Sequence, residues 1–128
     1  MLWEKTCFEA FVRAPGGESY VEFNFAPSTG WAAYHFISYR TGRASIDLPA
    51  PHFDVEFPNG ALVVWVTVNA SDLPCLPTDA TWRLNLAAVI EETDGTKSYW
   101  ALAHPPGDKP DFHDPACLVL ELPRAGNP

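Results

Sequence analysis

The stretch Trp82-Arg-Leu-Asn-Leu-Ala-Ala-Val-Ile-Glu91 decides the fold. Trp82, Leu84, Leu86, Ala88 and Ile90 recur at every second position, with Arg83, Asn85, Ala87, Val89 and Glu91 between them. A period of two belongs to an extended chain whose successive side chains point to opposite faces, so the segment reads as a β-strand with one wholly apolar face. The same alternation sets Val21, Phe23 and Phe25 against Tyr20, Glu22 and Asn24. It also sets Leu62, Val64, Val66 and Val68 against Val63, Trp65, Thr67 and Asn69. Such strands suit antiparallel sheets with one face on a core.

Further strands over 6–12, 31–38, 52–57, 98–102 and 117–122 bring the expected number to about eight. Turn signals separate them: Pro15-Gly-Gly, Pro27-Ser-Thr-Gly, Thr41-Gly, Pro58-Asn-Gly and Asp94-Gly. Pro58-Asn59-Gly60 is the clearest hairpin, because Asn and Gly accept the positive φ of a tight turn. Residues 71–79 resemble a helix start, but Pro74 and Pro77 leave room for one turn at most. Thirteen Pro and eight Gly interrupt an apolar content of 47%, which opposes long helices. One sheet of this size would leave an apolar face in water, so two sheets must pack. The expectation is an all-β, antiparallel β-sandwich forming a single domain over 1–128, with 123–128 a flexible tail.

A net charge of −8 with only eight Lys and Arg excludes nucleic acid and anionic membranes as partners, since both need clustered cations. No apolar run approaches the ~20 residues that cross a bilayer, and no charged start followed by an apolar stretch marks a secretory signal. A cytoplasmic location is expected. The three cysteines are Cys7, Cys75 and Cys117. A Cys7–Cys117 bridge is conceivable if their strands adjoin, while the odd count favours reduced, buried thiols.

The motifs also fall in a familiar order. Thr6-Cys-Phe-Glu-Ala-Phe-Val, Tyr20-Val-Glu-Phe-Asn-Phe-Ala-Pro-Ser-Thr-Gly and Trp31-Ala-Ala-Tyr-His-Phe are followed by the Trp82 strand with its Arg and Asn, then Ser98-Tyr-Trp, Pro110-Asp-Phe-His-Asp-Pro and a last apolar strand. In that order and spacing the chain resembles bacterial DOMON-like domains and, with them, family-9-type carbohydrate-binding modules. The resemblance covers nearly the whole chain except roughly 41–59. It implies a sandwich that holds a ligand rather than an enzyme, with the equivalents of Arg83 and Asn85 on a sheet. Family members carry further strands before the Cys-Phe-Glu motif, whereas only residues 1–5 precede it here. The comparison therefore implies a shortened start and an open sheet edge, through which a strand such as 6–12 would pair with a second copy. Some DOMON relatives bind haem through Met; the lone Met1 disfavours that ligation and leaves a His-ligated site open.

If the apolar faces meet in the core, the opposite faces gather aromatic, amide and charged groups. Sugars are held by such surfaces, the C–H face of the ring stacking on an aromatic side chain while hydroxyls meet planar amides, guanidinium and carboxylate groups. Trp65 and Tyr34 are the expected stacking residues, and Glu22, Asn24, Arg83 and Asn85 the expected hydrogen-bonding ones. The competing reading pairs Arg83 with Glu22 or Glu91 and leaves the aromatics as cover for the sheet. Trp3, Trp31, Trp82 and Trp100 read as packing.

His104, Asp108, Asp111, His113, Asp114 and Cys117 crowd the segment before the last strand. They lack the Cys-x-x-Cys and His-x3-His spacings of zinc sites and the Asp-x-Asp-x-Asp-Gly loop of calcium sites, so no metal is expected. The loop histidines are expected to bond to backbone carbonyls. No nucleophile motif accompanies them, and Glu91 and Glu92 point to opposite faces of any strand. The expected function is non-catalytic binding of a small polar ligand, a carbohydrate first, with no cofactor. The alternative is a protein-interaction module using a sheet edge or face.

Overall fold

Among the described residues nine strands form, one more than the alternation alone suggests. In chain order they are β1 (Cys7–Arg13), β2 (Tyr20–Phe25), β3 (Trp31–Phe36), β4 (Ala44–Ser45), β5 (His52–Glu56), β6 (Val63–Thr67), β7 (Trp82–Glu91), β8 (Lys97–Ala101) and β9 (Leu120–Leu122). This computed structural model describes residues 6–73, 76–107 and 109–123. The expectations that bear on Met1, Trp3, Pro74, Cys75, Asp108 and most of the tail lie outside the described residues. β4 has only two residues, too short for alternation to reveal.

The strands make an all-β sandwich of two antiparallel sheets. The larger has the order β4-β3-β2-β1-β7-β8, with β9 also paired to β7. β7 is long enough to take β9 along Trp82 to Leu84 and β8 along Ala87 to Glu91 on the side away from β1. The smaller sheet is the β5–β6 hairpin. Pro58–Gly60 closes it as a 3-10 turn, with φ of 52° at Asn59 and 79° at Gly60, the left-handed values that Asn and Gly tolerate best.

Register explains what is buried. Val12 pairs with Val21 and Leu84, and Ala10 with Phe23 and Leu86, which puts the apolar halves of β1, β2 and β7 on one face. That face packs on Phe53, Val66 and Val68 of the hairpin and on Leu73 and Leu76 of the connection after it. The suggested helix start at 71–79 forms one 3-10 turn, Ala70–Asp72, in which the Asn69 side chain accepts from the Ser71 N–H. Trp82 closes this core and donates its indole N–H to the Pro77 carbonyl at 2.8 Å.

The second face of the large sheet is also covered, so every residue of β2 is buried. Phe11, Tyr20, Phe36, Ala87 and Val89 pack there against Phe112 and Leu118 from the segment before β9. That segment was expected to be strand from 117. Instead Pro115–Cys117 is a 3-10 turn capped by the Asp114 carboxylate, which accepts from the Ala116 N–H.

Two further expectations change. β1 lies between β2 and β7 and cannot be the open edge through which a second copy would pair. Trp100 is 63% exposed rather than packed, because it points from β8 to a part of the sheet that the hairpin does not reach. Cys7 and Cys117 are the reduced, buried thiols that the odd count favours; burial pushes the Cys7 thiol up to about 12, which keeps it protonated and unreactive. Among the described residues no helix is long and apolar enough to cross a membrane.

Candidate functional site

The site is a cavity of about 610 Å³ on the second face of the large sheet. Two adjacent cross-strand rows run beneath it, and Tyr34, Glu22 and Glu9 from them line the space. One row runs Tyr34, Glu22, Phe11, Asn85 across β3, β2, β1 and β7; the next runs Ala32, Asn24, Glu9, Ala87. Strand pairing places such side chains within about 5 Å of their neighbours along a row, so four separate segments of sequence converge without any loop having to be ordered. Phe36, Val89, Tyr99 and Phe112 supply the apolar wall.

A loop and a turn roof one end. Gly42, at a φ of 70°, closes the reversal after β3, in which Ser38 and Thr41 bridge. That reversal projects Tyr39 and Arg40 toward the segment 110–118. Arg40 meets Asp111 at 2.8 Å, and the Tyr39 hydroxyl donates to the same carboxylate. Burial works against ionisation of Asp111, but these two donors outweigh it and hold the carboxyl below its usual range. Asn85 fastens the same segment from beneath, its amide Nδ2 donating to the Phe112 carbonyl at 3.5 Å.

His113 lies at the centre. Its ring meets the edges of Phe11, Tyr20 and Phe36 with centroids 4.8, 5.7 and 5.1 Å away. Burial first, and then Arg40, push the imidazole down to about 4, so it is neutral at pH 7. The Tyr20 hydroxyl accepts from the Arg40 backbone N–H at 3.0 Å, which leaves it to donate to His113 Nδ1 at 2.7 Å. The tautomer assigned by that network carries its proton on Nε2, 3.3 Å from Glu22 Oε1. His113 thus bonds to side chains, not to the backbone carbonyls expected of it.

Two carboxyls sit deep in the cavity. Glu22 is 7% exposed; burial raises its pKa, while Asn24, Arg40 and Arg43 favour the carboxylate. Glu9 is 8% exposed, and burial together with the charge of Glu22 pushes it up to about 7. No hydrogen-bond or ion-pair partner reaches Glu9 among the described residues. Asn24 and Asn85 are fully buried, yet both polar atoms of Asn24 and the Oδ1 of Asn85 lack partners there. Asn24 lies close enough to favour ionisation of Glu22 without reaching hydrogen-bond geometry. Arg40, Arg43 and Lys97 stand exposed at the mouth, with the Arg43 guanidinium 4.9 Å above the Tyr34 ring.

The expected residues therefore divide. Glu22 and Tyr34 line the cavity, whereas Asn24 and Asn85 are fully buried in the rows beneath it and do not line it. Trp65 does not join them: it is 60% exposed on the hairpin, opposite Asp54, because β6 belongs to the other sheet. Arg83 also stands apart, paired at 2.9 Å with Glu121 across β7 and β9 rather than with Glu22 or Glu91. Glu9, Arg40, Arg43, Lys97 and Tyr99 were not singled out from sequence as site residues. For Glu9 a signal was present, since alternation through 6–12 places it on one face with Cys7 and Phe11.

A second space of about 620 Å³ is lined, apart from Glu9, by apolar residues, among them Phe23, Val66 and Leu84. Among the described residues no group of three or more His, Cys, Asp and Glu is placed to hold a metal ion. In comparisons with known proteins no family model, curated protein or solved structure matched the chain.

Proposed function

We propose that this chain is a DOMON-like, family-9-module-like domain that binds a small polar ligand, a carbohydrate first, in the cavity over β1, β2, β3 and β7 without transforming it. The observation that carries the reading is the pair of carboxyls, Glu9 and Glu22, nine-tenths buried yet lining an open cavity beside Tyr34, Tyr99 and His113. Acidic groups held in a poorly solvated place are costly to a fold, and two that face one open space are best accounted for by a ligand that bonds to them. A sugar offers donors and acceptors in fixed directions together with an apolar ring face. Tyr34 and Tyr99 give that face a surface, and a space of this volume suits one or two sugar units.

The expected result is weak, specific binding on a glycan array, confirmed by calorimetry. Tyr34→Ala should weaken it by roughly tenfold or more, the loss typical of a stacked ring. Trp65→Ala should leave it unchanged. Equal loss in the two variants, or binding abolished only by Trp65→Ala, would move the site to the hairpin.

A protein-binding role is the second reading, favoured by one separate observation. Leu86, Trp100, Leu102, Leu120 and Leu122 are each at least 43% exposed on β7 to β9 and the residue after β8, an apolar stripe of the kind that marks contact surfaces. Light scattering should then show a dimer that Trp100→Glu dissociates; a monomer mass unchanged on concentration removes self-association through this stripe.

A further inference from the structure

Charge is distributed along the cavity in a definite order, acidic at the bottom and basic at the mouth. Glu9 and Glu22 are nine-tenths buried and occupy diagonal positions on β1 and β2, since Glu9 pairs with Asn24 and Phe11 with Glu22. Arg40, Arg43 and Lys97 are exposed at the rim. These are three of the chain's eight Lys and Arg, gathered at one opening in a protein of net charge −8. Scattered surface charge does not produce that arrangement.

We propose that the ligand is zwitterionic: an amino sugar with an acidic substituent, its ammonium group seated on Glu9 and Glu22 and its anionic group held by Arg43 and Lys97. The inference rests on the reading of this cavity as a sugar site and goes further by fixing the class of sugar.

The argument for the ammonium group starts from what a neutral hydroxyl could do. A hydroxyl would supply Glu9 with a hydrogen bond but leave two neighbouring carboxyls repelling one another in a poorly solvated place. An ammonium group donates three hydrogen bonds and cancels the repulsion, and charged hydrogen bonds are roughly twice as strong as neutral ones. Of the cations nearby, Arg40 is committed to Asp111 and His113 is uncharged, while Arg43, whose charge favours the Glu22 carboxylate, stands at the rim over the Tyr34 ring. The argument for the anionic group is the rim itself, because a purely cationic ligand would have to pass Arg43 and Lys97 to reach the floor.

Calorimetry on the whole chain with four probes tests this: glucosamine 6-phosphate, glucose 6-phosphate, glucosamine and glucose. Glucosamine 6-phosphate should bind best, and loss of either its amine or its phosphate should weaken binding roughly tenfold or more. Glu9→Gln should bring glucosamine 6-phosphate and glucose 6-phosphate to the same affinity, and Lys97→Gln should narrow the gap between glucosamine 6-phosphate and glucosamine. Should Glu9→Gln not fold, Glu22→Gln carries the same comparison. Glucose binding as tightly as glucosamine 6-phosphate, or an amine preference that survives both Glu substitutions, would overturn the zwitterion and leave the sugar site standing. Failure of all four probes, together with a blank glycan array, would overturn both.

Discussion

Replacing Phe11 by Ala is expected to lower the unfolding free energy by about 3–5 kcal/mol, the range for deleting a large aromatic side chain from a packed interior. Phe11 is 1% exposed and sits mid-row on the site face, between Glu22 on β2 and Asn85 on β7. Its ring meets His113 at 4.8 Å and Phe112 at 6.4 Å, so it is the surface on which the segment 110–118 rests. Truncation leaves a void beneath that segment while the polar ties from Asn85 and Arg40 remain, and they are too few to close it. Binding at the proposed site should be lost together with stability, since His113 would no longer be held against Glu22. Phe11→Leu, which keeps most of the volume, should cost less than about 1.5 kcal/mol if the pocket can repack. Urea unfolding measures both. A loss below about 1 kcal/mol for the Ala variant would mean that 110–118 does not rest on this ring.

The same row shows how much the sequence discloses and where it stops. Alternation in 20–25 and 82–91 assigns Glu22, Asn24 and Asn85 to a face opposite the core, and the sheet brings them together. Alternation is a statement about one strand, however. It says that Trp65 points away from Val64 and Val66, not that β6 pairs only with β5 in a separate sheet. Sheet membership depends on contacts between segments far apart in the chain, which no local period encodes. Arg83 illustrates a second limit, since its partner Glu121 lies on a three-residue strand that a Pro-led 3-10 turn shortens. The cover on the site face was hidden for a third reason. Residues 110–118 have no periodicity, and what seats them is a set of specific contacts from Phe112, His113 and Asp111 to five different strands and a turn.

Glu9→Gln is expected to make the protein more stable at pH 8 and to change little at pH 4.5. The Glu9 carboxyl is displaced upward from its ordinary 4.5 to about 7, so the fold favours its protonated form. A group shifted in that direction contributes stability that is fully present below the unfolded value and is lost as pH rises through the folded one. The window is therefore about 4.5 to 7, and the displacement corresponds to roughly 3 kcal/mol, shared in part with Glu22 through their mutual repulsion. Gln keeps the shape and the hydrogen-bonding capacity but has no proton to lose, so the decline toward alkaline pH should flatten and the melting temperature at pH 8 should rise by several degrees. His113 acts with the opposite sign. Its pKa is pushed from 6.5 down to about 4, so its contribution is present above 6.5 and is lost as pH falls through 4, and the acidic side of the profile should survive the substitution. Thermal unfolding at both pH values decides the matter: a variant no more stable than the native protein at pH 8 would mean that Glu9 is neither unpaired nor poorly solvated. A carboxyl that weakens the fold at neutral pH, and whose removal strengthens it, is what the proposed binding site would require, since sites for ligands are commonly built at the expense of the scaffold beneath them.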